Sequence, residues 1–182
     1  MNDTQWVLIE DNKECDAIWD RFVSLFHFQP DYSNKTKCPF GFPSYIKHVK
    51  VYDIHGALIS LDPHDENHRY RTTQQIQTIK SIFAECMGCD EFMYALDWQH
   101  SSFKYNPRIE EPFNEYTMYT NLHETRAYYP SFYPNGDFYF FLQKDFEWGY
   151  LTHPWQERVW IFGDQLTALF ERYSDYLGFN AL

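Results

Sequence analysis

The chain has 182 residues, of which 21% are Phe, Tyr or Trp, and a formal net charge of -11. A surface with so much negative charge repels nucleic-acid phosphates and anionic lipid, which argues against both as partners and leaves a basic protein as the compatible one. The surplus of acidic residues has a simpler explanation too, since it keeps an aromatic-rich protein in solution. The length suits one domain over residues 1–182, because no linker or low-complexity tract divides it.

The amino-terminal residues, MNDTQWVLIEDNKE, have neither the basic opening nor the apolar run of a signal peptide. No segment approaches the ~20 apolar residues that a membrane-spanning helix requires. Four cysteines in a chain of this length do not make a disulfide framework. We therefore expect a soluble, cytoplasmic protein.

Three helices are predicted. The first begins at Asp11, which has Glu14 three residues later as in a capping box, and its apolar residues recur at helical spacing as far as Phe26. The second begins near Thr72 and ends at Gly88. The third has Asp164 as its N-cap and ends at Gly178.

Five strands are predicted between these helices. Residues 45–52 have the composition of a half-buried strand near an edge, and residues 91–98, 137–142 and 158–162 are apolar runs typical of strands covered on both faces. Residues 147–152 form the fifth, paired antiparallel with 137–142 across a short link. The expected fold is α+β, with a mainly antiparallel sheet of about five strands and three helices packed on it. The predicted core of this sheet comprises Phe138, Phe140, Val159, Ile161 and Phe162.

Residues 99–136 are rich in proline and tyrosine, and their apolar residues follow neither the helical period nor the strand period. We expect a long ordered excursion with one or two short strands, because tyrosine is too abundant for a disordered tether. An acidic patch at Glu110, Glu111 and Glu115 lies within it.

Two motifs suggest metal or redox chemistry only weakly. Cys86 and Cys89 form a CxxC pair, but at the end of a helix, where the dipole raises a thiol pKa and the residues serve as small buried side chains. His64 and His68 have the spacing of metal ligands on a helix, but Pro63 favours a surface loop. They are an alternative metal site, and otherwise no metal or cofactor is expected.

Catalytic motifs are absent from the sequence: it has no nucleophile elbow, Walker loop or dinucleotide fingerprint. One alternative remains. Asp97, His100, Asp137 and His153 lie near ends of predicted strands and would form an acid–base cluster if the strand order brought those ends together.

The patterns PxGDxYxF at residues 134–141 and WGxLxHPW at 148–155, followed by a strand, FG and a helix, are distinctive in combination. Together with IWDRFVSLFHFQP at 18–30, they resemble an uncharacterised bacterial family, the domain-of-unknown-function family numbered 2716. The resemblance implies a bacterial, cytoplasmic, single-domain protein and no assigned activity. The chain is also similar in style, by analogy only, to the small acidic immunity proteins of bacterial toxin systems.

The favoured hypothesis is a non-enzymatic module, immunity-like or inhibitor-like, that binds a basic protein partner. Aromatic anchors in an acidic field would supply affinity and fast association. The candidate contact residues are Trp148, His153, Trp155, Glu110, Glu111 and Glu115. Two alternatives stay open: a small hydrolase that uses His and carboxylates at the end of the sheet, and a small-ligand-binding protein with a pocket lined by tyrosines.

Overall fold

The structure, a computed structural model, describes residues 4–59, 68–88, 91–98, 100–109, 118–120, 126–134 and 136–182; for residues 58, 59, 68–72, 118–120 and 126–128 only the backbone is described. Within these ranges the architecture is α+β. In chain order the elements are β1 (Trp6–Leu8), α1 (Asn12–Phe26), β2 (Val49–Asp53), α2 (His55–Ile59), α3 (His68–Cys86), β3 (Met93–Asp97), β4 (Ser102–Tyr105), β5 (Met118–Thr120), β6 (Arg126–Tyr128), β7 (Tyr139–Gln143), β8 (Gly149–His153), β9 (Arg158–Phe162), α4 (Asp164–Leu177) and β10 (Asn180–Ala181).

Eight of the described strands form one antiparallel sheet in the order β1-β4-β3-β7-β8-β9-β2-β10, and β5 pairs with β6 separately. The predicted fold class is therefore correct in outline, but the prediction of about five strands and three helices is too low. The strands that it missed, β1 and β10, have three and two residues, and the missed helix α2 has five. Elements of this length carry no readable period, and pairing with their neighbours defines them.

Alternate residues of the central strands face two different helical layers. Phe140 and Leu142 belong to a cluster with α1, whereas Phe141 belongs to a cluster with α3 and α4. This alternation follows from the two-residue period of a strand. It explains the unbroken apolar runs, since both faces of the sheet are covered. The five predicted core residues are all at most 1% exposed, which confirms their placement.

The helix ends show which local sequence signals were sufficient to predict where a helix begins or ends. Asp11 caps α1 by accepting a hydrogen bond from the backbone N–H of Lys13 at 2.9 Å. Helix α3 begins at His68, four residues before the predicted start, and α4 begins at Asp164 with Gly163 as its N-cap. Gly178 ends α4 in the left-handed conformation at φ 72°.

The strand boundaries agree with the predictions to within a few residues. β9 has its predicted bounds, β2 is shifted towards Asp53, and β7 and β8 form the predicted antiparallel hairpin, with Phe140 opposite Leu151. Three short strands, β4, β5 and β6, lie in the region where one or two were expected. Among the described residues no helix is both long enough and apolar enough to cross a membrane.

Candidate functional site

The pairing of β3 with β7 brings two carboxylates together at one end of the sheet. Asp97, the last residue of β3, lies opposite Tyr139, the first residue of β7. Asp137 precedes Tyr139 by two residues and so lies on the same side of the sheet as Asp97. His100 follows in the turn after β3, where its backbone N–H donates to the Asp97 carbonyl at 3.2 Å. The sheet end therefore collects three residues with titratable side chains.

These three residues form what we call the carboxylate–imidazole cluster. The Nδ1 atom of His100 lies 3.1 Å from Oδ1 of Asp97 and 3.7 Å from Oδ2 of Asp137. The three potential ligand atoms all lie within 4.8 Å of one another. The side chain of Asp97 is only 6% exposed, whereas those of His100 and Asp137 are 53% and 39% exposed. The cluster thus has a buried carboxyl at its base and opens to solvent.

Burial dominates the electrostatics of the cluster. Removal from water raises the pKa of Asp97 to about 7, against the opposing effect of its hydrogen bond with His100, and the neighbouring charge of Asp137 adds to the rise. The hydrogen bond with Asp97 in turn raises the pKa of His100 above its usual value. The pKa values of both groups are therefore raised from their usual values.

His153, the fourth residue of the predicted catalytic set, faces the other side of the sheet. Leu151 lies opposite Phe140, so His153, two residues further along β8, shares their face. Its ring lies 4.9 Å from the ring of Phe138, in the layer packed on α1. Asp97 and Asp137 lie on the opposite face of the sheet, which they share with Tyr139. The structure thus brings together three of the four predicted residues.

The environment of His153 is that of a core histidine with satisfied hydrogen bonds. The residue is 1% exposed, and Nδ1 accepts a hydrogen bond from the backbone N–H of Gln156 at 3.2 Å. Burial lowers the pKa of its ring to about 4, and a hydrogen bond to the backbone of Lys37 opposes this only in part. His153 is therefore neutral at physiological pH. It joins the β8–β9 turn to the loop of residues 27–48.

Three partly exposed rings, Tyr32, Trp98 and Trp155, form a surface that we call the aromatic platform. The ring of Tyr32, 55% exposed, lies 5.4 Å from that of Trp98 and 5.1 Å from that of Trp155. Beneath them, Phe138 packs edge-on against Trp98 at 5.7 Å and against Trp155 at 5.3 Å. The platform thus has a buried base, and its three rings come from three separate segments of the chain.

A cation already lies over the platform. The ammonium of Lys35 is 5.3 Å from the centroid of the Trp155 ring, within the range of a cation–π contact. The backbone N–H of Trp98 donates to the carbonyl of Phe138 at 3.1 Å. Trp98 and Phe138 directly follow Asp97 and Asp137, so the platform rings and the carboxylates lie at the same end of the sheet but on opposite faces of it. Sequence reasoning missed Tyr32 and Lys35, because nothing in their loop indicates where it packs.

The other predicted site residues lie elsewhere. Trp148 precedes β8, whereas Trp155 follows it, and Trp148 stacks on Phe83 in the opposite layer at 6.0 Å. The two tryptophans therefore do not share a surface. Cys86 is half-buried, and burial raises the pKa of its thiol to about 12. Outside the described residues or side chains lie Glu110, Glu111, Glu115, His64, His68 and Cys89.

A groove with a volume of about 410 Å³ lies between α3 and α4. Polar side chains and two tyrosines, Tyr173 and Tyr176, line it, and Tyr176 donates a hydrogen bond to Gln74 at 3.2 Å. This is the part of the described structure that corresponds to the tyrosine-lined pocket considered from the sequence.

The fold and the sheet end define an acidic α+β protein whose antiparallel sheet has an aromatic platform on one face and a carboxylate–imidazole cluster on the other. The chain belongs to the family described as "Protein of unknown function (DUF2716)", which it matches over residues 10–167. This confirms the resemblance inferred from the motifs. The chain is similar to the uncharacterized protein YxiI of Bacillus subtilis (strain 168), at 29% identity over 161 residues, which cover 88% of this chain and 89% of that protein. No solved structure matches the chain.

Proposed function

We propose that the protein is a binding module for a basic protein, of the inhibitor or immunity type, and that it contacts this partner through the aromatic platform. The observation that carries the proposal is the platform itself, three partly exposed rings with the Lys35 ammonium 5.3 Å from the Trp155 ring. No enzymatic step is required of this surface.

The chemistry of the platform suits a lysine or arginine of a partner. The faces of Trp and Tyr rings attract cations, more strongly once water is excluded. Tyr, Trp and Arg also dominate the energetics of protein interfaces, since large rigid rings bury much area at a small cost in entropy. Lys35 occupies the position over Trp155 that a partner's cation would take.

The charge of the chain supports the same partner. A net charge of -11 attracts a basic protein over long range and accelerates its association. Of the residues predicted from sequence, the proposal keeps Trp155 as a contact and gives His153 a supporting position beneath it, and it adds Tyr32 and Trp98.

A matched pair of tyrosine variants tests the proposal. Tyr32 and Tyr45 are 55% and 60% exposed, but only Tyr32 belongs to the platform. Wild type, Tyr32→Ala and Tyr45→Ala would each be immobilised, and proteins captured from a lysate of the source organism would be quantified by mass spectrometry. The captured basic protein would then be purified and its affinity measured by surface plasmon resonance.

We expect Tyr32→Ala to weaken this affinity by about 10-fold or more, the effect of losing an interface anchor worth at least about 1.4 kcal/mol. Tyr45→Ala should leave it within about twofold, and the wild-type association rate should fall as salt is added. The proposal fails if both variants bind alike, or if every captured partner is acidic.

Hydrolysis by the carboxylate–imidazole cluster is the second candidate function. The observation that favours it is geometric: an imidazole nitrogen lies 3.1 Å and 3.7 Å from two carboxylates in a site that opens to solvent. A general esterase, phosphatase and nuclease screen would compare wild type with Asp137→Asn. Activity that Asp137→Asn retains in full, or no activity in any assay, would exclude this function for the cluster.

A further inference from the structure

We propose that Asp97, His100 and Asp137 bind one divalent transition-metal ion, with zinc preferred over manganese. Nothing in this inference depends on the partner-binding proposal, which concerns the aromatic platform.

The donor set matches this class of metal. Two carboxylates and one imidazole offer the oxygen and nitrogen ligands that zinc accepts, usually from three protein residues with a water in the fourth position. An imidazole nitrogen favours a transition metal over magnesium or calcium, which bind oxygen ligands. Zinc binds such a site more tightly than manganese in the usual order of stability of these ions.

The distances agree with a shared ion. Zinc lies about 2.1 Å from nitrogen and carboxylate oxygen, which places tetrahedral ligands about 3.4 Å apart. Nδ1 of His100 lies 3.1 Å from Oδ1 of Asp97 and 3.7 Å from Oδ2 of Asp137. The separations bracket the expected value, so small side-chain rotations would complete the coordination. Asp97 is held by a strand, and the backbone hydrogen bond from His100 to Asp97 holds the turn.

The burial of Asp97 also favours a cation in the cluster. Its side chain is 6% exposed, and its Oδ1 lies at hydrogen-bond distance from Nδ1 of His100. No described Lys or Arg forms an ion pair with Asp97 or Asp137. A buried carboxylate is costly unless it is paired or coordinates a metal. An ion in the cluster would neutralise both acids.

The exposure of the other two ligands supplies an entry path. His100 is 53% exposed and Asp137 is 39% exposed, so an ion can enter from solvent and retain a water molecule. The pair of His48 and Asp164 offers a comparison. Its Nδ1 and Oδ1 atoms lie 2.7 Å apart at the surface, but among the described residues it belongs to no group of three metal ligands.

The experiment uses the full chain, stripped of metal by a chelator and titrated with zinc, manganese and magnesium by isothermal calorimetry. We expect one zinc ion per chain, weaker binding of manganese and weaker still of magnesium. His100→Gln and Asp137→Asn should each weaken zinc binding by at least about 10-fold, while His48→Gln leaves it unchanged. Circular dichroism checks that each variant is folded, and both cluster substitutions fall on partly exposed side chains.

A second measurement keeps the test independent of the variants. In the wild-type protein, zinc should shift the imidazole nitrogen resonances of His100 in an NMR titration and leave those of His48 in place. Tyr32→Ala should bind zinc as wild type does, which separates this site from the proposed partner surface. The inference is overturned if zinc does not bind stoichiometrically, or if His100→Gln and Asp137→Asn bind it with wild-type affinity.

Discussion

Acidification should destabilise the protein through His153. This residue is 1% exposed and its Nδ1 accepts a hydrogen bond from the backbone N–H of Gln156, an arrangement that only the neutral ring can make. Burial lowers the pKa of the folded-state ring from 6.5 to about 4. The unfolded chain has no such constraint.

The sign and size of the effect follow from proton linkage. Above about pH 6.5 the ring is neutral in both states and adds no pH dependence. Between about pH 6.5 and pH 4 the unfolded chain binds a proton that the folded chain does not, so the free energy of unfolding falls as the pH falls. A shift of about 2.5 pKa units corresponds to about 3 kcal/mol for this one group, of which about 2.5 kcal/mol is lost by about pH 4.5.

The measurement compares urea unfolding of wild type and His153→Gln at about pH 7 and about pH 4.5. Other titrating groups contribute equally to wild type and variant. The difference between the losses of unfolding free energy of the two proteins therefore isolates His153. We expect wild type to lose about 2 kcal/mol more than the variant. An NMR titration of the folded wild type would report the pKa of the imidazole directly. The reasoning is refuted if that ring titrates near 6.5, or if both proteins lose the same stability on acidification.

Three further predictions concern the stability of the fold. Phe140→Ala should lower the free energy of unfolding in urea by about 4 kcal/mol, because Phe140 is fully buried among rings of α1 and the loop that follows it. Val23→Ala, at a position 44% exposed, should cost less than about 1 kcal/mol. Equal losses would contradict the core assignment. Gly163→Ala should lower the melting temperature more than Gly136→Ala does. Both glycines have positive φ, but only at Gly163 would an added Cβ lie 2.3 Å from Cβ of Trp148. Similar melting temperatures would argue against this contact. Arg108→Ala should cost about 1–3 kcal/mol and increase amide exchange in the last turn of α3, because the guanidinium donates to the carbonyls of Ala84, Met87 and Gly88. Arg172→Ala, at an exposed site, is the control. Exchange in Arg108→Ala that equals that of this control would show that Arg108 does not cap the helix.

Local patterns were sufficient for the longer elements. The apolar run of residues 158–162 has the bounds of β9, and Asp11 and Gly178 mark the start of α1 and the end of α4 as their side-chain and backbone chemistry requires. The central strands were predicted as buried on both faces because their apolar residues are unbroken, and α1 lies on one face with α3 and α4 on the other. Each of these signals acts within a few residues of the chain.

The candidate site depended on interactions between distant segments. Asp97 and Asp137 were candidates from the sequence, but only the register of β3 against β7 gives them the same face and turns His153 to the other. Tyr32 had no signal at all, because its place beside Trp98 and Trp155 depends on where the loop after α1 packs. The sequence alone therefore defined three of the described helices in outline, the main strands and the family, through short-range periodicity and capping. Strand order, face and loop packing arise from long-range contacts, and these decided which side chains meet at the end of the sheet.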